Sequence, residues 1–173
     1  MSTLTVKELA APAGFDLKIA SAETLDLKSQ GTVTMPAGSI LQVVNTVEST
    51  AIATTSTTYS DVGLSLSITP SSTSNKILVM VSIPAGVEPG STSKGWTGQL
   101  LRDSTQIAYE PSVGWTNVSE YAAEHVSWSV LDSPATTSAI TYKVQHKSQV
   151  SGVQVNSLGN NSTATITAME VSV

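Results

Sequence analysis

Apolar and polar residues alternate at every second position along most of this 173-residue chain. Residues 64–69, 125–132 and 140–146 are clear examples, and Pro70 and Pro134 close two of them. A period of two places the apolar side chains on one face of an extended strand. Threonine and valine, which fit a pleated strand, are frequent, whereas the common helix formers are scarce. The sequence therefore predicts an all-β fold and no helix.

The alternating segments become longer after Ile40. About eight of them follow at intervals of 8–12 residues, which is typical of a β-sandwich or jelly roll. Residues 76–83 are apolar on both faces and predict a central strand. The segments 84–95 and 110–123 are rich in Gly, Pro, Ser and Asn and are predicted to be long loops. We therefore expect a jelly-roll-like antiparallel β-sandwich over residues 40–173.

Residues 1–39 read differently, as a series of short alternating pieces separated by turn residues. Short isolated strands are marginal in water, and their apolar stripes need a partner. Three chains with parallel N-termini could cover these stripes for one another, which predicts a homotrimer with an attachment arm. The alternative is an arm that lies on its own C-terminal domain. The expected attachment and trimer contacts are Leu4, Val6, Phe15, Leu17, Ile19, Leu25, Leu27 and Val33.

Charge and composition exclude several classes of partner. The formal net charge is −5, and the eight Lys and Arg residues are scattered, so nucleic acid is not expected as a partner. No apolar run reaches the ~20 residues that span a bilayer, and residues 1–7 do not resemble a secretory signal. Cysteine is absent. We expect a protein that is made in a cytoplasm and does not insert into a membrane.

No catalytic constellation is visible in the sequence. His125 and His146 each lie at the edge of an alternating segment and are expected to be structural or surface residues. Asp103 and Asp132 are each followed by serine and are expected to form turns. No Gly-x-Ser-x-Gly nucleophile motif and no phosphate loop occur. We expect no enzyme, cofactor or metal site; glycan cleavage by paired carboxylates and a histidine-bound metal on a trimer axis are the alternatives.

Four aromatic residues lie in or beside the two predicted loops, where contact residues are common. Indole and phenol rings stack on sugars and on protein partners. For Trp96 and Trp128 the alternative is a place in the core or in the trimer interface. This alternative is favoured for Trp128 because Val126 and Val130 share its strand face. The candidate surface or receptor contacts are Trp96, Tyr109, Trp115 and Tyr121.

Several segments, in order along the chain, resemble the C-terminal domains of bacteriophage tail-fibre-like proteins, notably those of marine and cyanobacterial phages. The N-terminal pieces are similar to the short repeats that precede such domains. The resemblance covers most of the chain but contains no strict motif. The segments are 3–6, 24–27, 64–70, 74–79, 101–103, 131–137, 142–145 and 164–171.

The resemblance implies a virion protein that forms a short homotrimeric fibre. Its N-terminus would attach to tail or capsid proteins, and its C-terminal domain would point outward toward host surface polysaccharide. Because the chain has hardly any shaft, a capsid decoration or head-fibre protein is an alternative, and a carbohydrate-binding module without particle attachment is a second one. The expected location is the virion, after synthesis in the host bacterial cytoplasm.

Overall fold

The structure, a computed structural model, describes residues 35–89, 94–116, 120–159 and 162–173. A compact unit extends from Met35 to Val173. The eight expected attachment and trimer contacts, and most of the arm predicted over residues 1–39, lie outside the described residues. Nothing in the described ranges is helical, so the all-β prediction is confirmed there. In these ranges no helix is long and apolar enough to cross a membrane.

Ten strands form the described part of the chain. They are β1 (Ile40–Glu48), β2 (Ile52–Thr54), β3 (Ser60–Ile68), β4 (Lys76–Val87), β5 (Lys94–Arg102), β6 (Thr105–Thr116), β7 (Ala122–Asp132), β8 (Ile140–Ser148), β9 (Val155–Ser157) and β10 (Ala164–Val171).

The strands form two antiparallel sheets. In the first sheet the order is β1-β10-β4-β9-β2, and β7 also pairs with β4. Strand β4 is therefore central. One edge of β4 pairs with β7 over residues 77–87. The other edge pairs with β10 over residues 76–82 and with β9 over residues 85–87. The second sheet has the order β3-β8-β5-β6.

The inward faces of both sheets contribute to one hydrophobic cluster. Strand β3 alternates between buried and exposed residues from Val62 to Ile68. Strand β8 alternates between buried and half-buried residues from Ile140 to Ser148. Across the cluster, β4 contributes residues 77–87 at alternate positions and β10 contributes Ala164, Ile166 and Ala168. The two sheets thus pack in a sandwich-like arrangement, and the predicted alternation is confirmed in these strands.

The two predicted loops are shorter than expected. Strand β4 continues through Pro84 to Val87, and β6 and β7 occupy most of residues 110–123. Leu158 N donates to Pro84 O (3.3 Å). The backbone groups of Pro84 therefore face the edge of β4 that pairs with β10 up to Ser82 and with β9 from Ala85, and Pro84 lies between these two partners. The absence of an N–H group at Pro84 therefore removes no hydrogen bond between β4 and either of these strands. Pro111 is tolerated because β6 is an edge strand with irregular pairing.

The segment before β1 is hydrogen-bonded to the end of the last strand. Gly38 N donates to Ser172 O (2.8 Å), and Ser172 Oγ donates to Pro36 O (2.6 Å). Ser172 N donates to Ser39 O (3.0 Å), and Ser39 N donates to Ser172 Oγ (3.0 Å). Residues 36–39, which the sequence assigns to the arm, are thus joined to the C-terminal strand.

Candidate contact surfaces

Trp96 is fully buried and belongs to the core. Its indole Nε1 donates to Ser157 Oγ (3.0 Å) and to His146 Nδ1 (3.3 Å). Such a residue cannot meet a partner on the folded surface, so the predicted contact role of Trp96 is wrong. The alternative, a place in the core, holds for Trp96. Trp128 is half-buried and packs against the same core.

Gly98 makes room for the Trp96 ring. Both residues point inward from β5 because they are two positions apart on one strand. A Cβ on Gly98 would lie 2.0 Å from Cη2 of Trp96, a distance far shorter than a van der Waals contact between two carbon atoms. A side chain of any size at position 98 would therefore displace the indole.

His146 is the second member of this buried polar cluster. Its Nδ1 lies 2.9 Å from Ser157 Oγ, and its Nε2 is buried without a hydrogen-bond partner. Because the indole can only donate, Nδ1 is the acceptor and the neutral ring carries its proton on Nε2. Burial lowers the pKa of His146 to about 4, since the interior disfavours the charged ring. His146 is therefore neutral at pH 7.

Tyr109 lies on the outer face of the second sheet and is 47% exposed. It is a neighbour of Tyr59, whose pKa is raised by burial and, to a smaller extent, by Tyr109. The ammonium of Lys147 lies 4.6 Å from the centre of the Tyr59 ring. This face is otherwise polar, with Asp61 and Gln145 joined at 2.7 Å. Tyr59 was not among the sequence candidates.

Trp115 lies in β6, and its side chain is outside the described part of the structure. Its expected contact role stays a prediction.

Tyr121 borders a hollow at the end of the first sheet. The hollow has a volume of about 430 Å³ and is also lined by Glu88, Pro89, Asn156 and Gly159. The Tyr121 ring lies against Gly86, where a Cβ would be 1.9 Å from the phenol oxygen. The sequence pointed to Tyr121 but not to the other lining residues, because pairing between β4 and β9 brings them together.

The hollow carries an ordered set of polar groups. Asn156 Nδ2 donates to Glu88 Oε1 (2.7 Å), and Gln154 Nε2 donates to Asn156 Oδ1 (3.2 Å). The pKa of Tyr121 is raised, first by burial and then by the negative charge of Glu88, against a hydrogen bond with Asn156 that lowers it. The phenol is therefore protonated at pH 7 and can donate a hydrogen bond.

The outer face of the first sheet has an apolar row that crosses four strands. Val43 pairs with Met169, Met169 with Leu78, and Leu78 with Leu131. Val43 is 56% exposed and Leu131 is 54% exposed. Exposed Ile40 and Met80 lie on the two adjacent rows of the same face, and exposed Val47 lies one row beyond that of Met80. We call this set of seven residues the apolar face.

Next to the apolar face, hydroxyl side chains cover the middle of the same sheet. They border a shallow hollow of about 320 Å³ beside Met80. The hydroxyl-bearing residues are Ser82, Ser127, Ser129, Thr165 and Thr167. The outer face thus changes from apolar at one end to hydroxyl-rich in the middle and to the Tyr121 hollow at the other end.

Arg102 and Asp132 join the two sheets. Arg102 Nη1 donates to both oxygens of Asp132 (2.7 and 2.8 Å), and the phenol of Tyr142 donates to Asp132 Oδ2 (2.7 Å). Asp132 is therefore more than the turn former that the sequence predicts. Asp103 does have a turn conformation, with φ of 52°, and it accepts a hydrogen bond from Thr141 N.

Glu170 accepts four hydrogen bonds. It is fully buried at the end of β10 and accepts from Gln42 Nε2 and Asn75 Nδ2, both at 2.6 Å. Ser71 donates through both its N and its Oγ at 2.7 Å. Burial raises the pKa of Glu170, but these hydrogen bonds outweigh burial and lower it overall. Glu170 stays charged and fixes the turn between β3 and β4 to the last strand.

Within the described ranges, no group of three or more His, Asp or Glu residues could hold a metal ion. No protein-family model and no curated protein matches the chain.

Proposed function

We propose that the chain is a bacteriophage virion structural protein that forms a short homotrimeric fibre on the particle surface. Residues 1–39 attach it to tail or capsid proteins, and the sandwich-like domain points outward, where it contacts the host surface. The protein acts by assembly and binding, without catalysis or a cofactor.

The apolar face is the observation that carries this proposal. Exposed apolar side chains are ordinary when scattered, but a continuous row across a sheet is typical of a surface that another protein covers. The outer face of the second sheet has the opposite character, with Asp61, Ser65, Lys143 and Gln145 directed to solvent. This difference favours a protein that assembles through one sheet and exposes the other. Further copies of the chain are the occupants that the proposal assigns to the apolar face.

The strand order supports a jelly roll as the finer description of the domain. If the collinear pairs β1/β2 and β9/β10 are each counted as one strand, the eight strands form sheets of order 1-8-3-6 and 2-7-4-5. This is the order of a jelly roll, an architecture found in viral capsid and lectin domains. Fold alone does not determine function, so the strand order adds support only together with the apolar face.

A capsid decoration or head-fibre protein would use the same surfaces, and only its position on the particle differs. The Tyr121 hollow favours a second candidate, a carbohydrate-binding module without particle attachment. Residues 1–39 discriminate between these candidates, since a free module needs no attachment arm.

Labelling of virions tests the proposal. An antibody against the chain should decorate intact particles of the phage that encodes it, at the tail for a tail fibre or at the head for a decoration protein. A fragment 35–173, supplied in place of the full chain during infection, should be soluble but absent from the particles. Unlabelled particles, or normal incorporation of the fragment, would contradict attachment through the N-terminal residues.

A further inference from the structure

The outer face of the second sheet carries a positive charge that no carboxylate neutralises. The two salt bridges among the described residues do not include Lys147. Its ammonium lies 4.6 Å from the centre of the Tyr59 ring, which is a cation–π contact. An ammonium group has three N–H donors, and a ring face contacts it from one side. Donors of Lys147 therefore remain for a ligand.

Asp61, the carboxylate in the adjacent row of this face, is already held by other groups. Lys143 Nζ lies 3.2 Å from Asp61 Oδ1, and Gln145 Nε2 donates to the same oxygen (2.7 Å). Glu110 on β6 pairs with a core-facing residue of β5 and therefore has the parity of the inner face. Since the charges of Asp61 and Lys143 cancel, Lys147 leaves this face locally positive on a chain of formal net charge −5.

The middle of this face is covered by side chains. Register places Lys147 opposite Thr97 and Tyr109 opposite Gln99. Thr97 and Gln99 alternate with the inward Trp96 and therefore point outward, yet they are only 1% and 8% exposed. Neighbouring side chains thus form a layer over β5, and the exposed Tyr109 lies in the same row as Gln99.

Two phenols and one ammonium complement a sugar that carries a carboxylate. Burial, and to a smaller extent Tyr109, raises the pKa of Tyr59, so this phenol is protonated at pH 7 and can donate. Neither phenol oxygen has a hydrogen bond to a described residue. The ammonium can pair with the carboxylate, the phenols can bind hydroxyls, and the exposed ring of Tyr109 can pack on the C–H face.

We therefore propose that Tyr59, Tyr109 and Lys147 form a patch that binds one residue of an acidic sugar, a uronate. We call these three residues the Lys147 patch. One net positive charge suits a monoanion. A sugar phosphate carries up to about two negative charges, the second of which would lie near Asp61 without a cation. A neutral sugar would leave the ammonium without an anionic partner.

This inference rests on the proposed function in one respect, because the outward direction of the second sheet is what would bring a host polysaccharide to the patch. It names acidic polysaccharide as the class of receptor. A ligand as small as a monosaccharide is expected to bind with a Kd on the order of millimolar.

Saturation-transfer difference NMR on the full chain tests the patch. The probes are glucuronate, galacturonate, glucose and galactose, each at about 10 mM to match the expected Kd. At least one uronate should receive more saturation than the neutral sugar of the same configuration. Absence of transfer to both uronates, or equal transfer to the matched neutral sugars, would overturn the proposal.

Competition separates a sugar from other carboxylates. Acetate, and a short peptide that contains two glutamates, are added at the concentration of the bound uronate. The uronate signal should persist in both cases. Its loss with acetate would show that no sugar contact contributes, and its loss with the peptide would indicate a surface for an acidic protein; either result would reject the acidic sugar.

Variants then locate the binding. Lys147→Gln should weaken the Kd at least about fivefold, whereas Lys147→Arg, which keeps the charge, should retain the binding. Lys76→Gln, on the outer face of the first sheet, changes the net charge equally and should leave the Kd unchanged. Tyr109→Ala provides a second test, because loss of the exposed ring should also weaken the Kd at least about fivefold.

Equal binding by Lys147→Gln and Lys76→Gln would place the sugar elsewhere and reject the patch. A three-chain mass without uronate binding rejects the patch alone, whereas a one-chain mass rejects the proposed fibre.

Discussion

His146 is an inward residue of β8 that the packing keeps neutral. Its Nδ1 accepts a hydrogen bond from the indole of Trp96, and a proton on Nδ1 would remove that acceptor. In the unfolded chain the imidazole has its ordinary pKa of about 6.5, whereas in the folded chain it is lowered to about 4. Between these two pH values the unfolded state binds a proton that the folded state does not. Stability therefore decreases as pH falls from about 6.5 to about 4.

His146→Gln should remove this part of the acid sensitivity. The wild type is expected to lose about 2 kcal/mol of unfolding free energy between pH 7.5 and pH 5 through this group. The variant should be less stable than wild type at pH 7.5 but should lack that decrease. Urea unfolding at the two pH values measures it, with His125→Gln on the exposed part of β7 as the control. An equal pH dependence in wild type and His146→Gln would contradict the buried neutral imidazole.

Glu170→Gln should destabilise the fold although it changes little in size. Four donor atoms surround the carboxylate, and an amide NH₂ would face at least one of them. The expected loss is about 2 kcal/mol at pH 7. Glu124→Gln, at an exposed residue of β7, should stay within about 0.5 kcal/mol of wild type. Urea unfolding of both variants measures this loss. A Glu170→Gln variant as stable as the Glu124→Gln control would show that the four hydrogen bonds to Glu170 do not stabilise the fold.

Acid should also reduce the contribution of Glu170 in wild type. Its pKa is lowered on folding, so its stabilisation is present above the ordinary value and is lost as pH falls through the lowered one.

The burial of these polar residues can be predicted from the sequence, but their hydrogen-bond partners cannot. His146 has the same strand parity as Ile140, Tyr142 and Val144, and Glu170 has the parity of Ala164 and Ala168. Their burial could therefore have been predicted from the period of two. What the period cannot supply is the set of groups across the core, such as Asn75 for Glu170, because those contacts depend on how the strands pair.

At the scale of elements, strand pairing overrode local composition. Pro, Gly and Asn made residues 110–123 resemble a loop, yet the partner strand β5 extends β6 to Thr116. Pro84 likewise resembled a stop signal but lies where β4 changes its neighbour from β10 to β9. Clean alternation in β3, β8 and β10 was sufficient to predict those strands, because each buries one face.

Gly98→Ala tests the packing within β5. The new methyl group would overlap the Trp96 ring, so the indole must move and its hydrogen bonds to Ser157 and His146 must change. The expected loss is about 2–3 kcal/mol, which includes the overpacking cost, together with a shift in tryptophan fluorescence. Thermal unfolding and emission spectra measure both. Ser65→Ala, on the exposed face of β3, should alter neither quantity; a Gly98→Ala variant that behaves like it would disprove the contact.

At the scale of the whole molecule, the two sheets have different outer faces. Alternation predicted which residues leave the core, but the apolar face depends on register, which aligns Val43, Met169, Leu78 and Leu131 in one row. The Tyr121 hollow likewise depends on the pairing of β4 with β9. Neither surface could be predicted from the sequence, since both join segments that are far apart along the chain.

Leu131→Lys should weaken self-association while preserving the fold. A charge in a covered apolar row must be desolvated without a partner, so the association constant should fall at least about tenfold. Ser65→Lys on the outer face of the second sheet should have no effect on it. Sedimentation velocity over a concentration series measures both. Equal association of the two variants would show that the apolar face is not the interface.

The mass of the full-length protein in solution tests the central claim most directly. Light scattering during size-exclusion chromatography at micromolar concentration should give three times the 17.9 kDa mass of one chain. A mass of a single chain under these conditions would contradict the trimeric fibre.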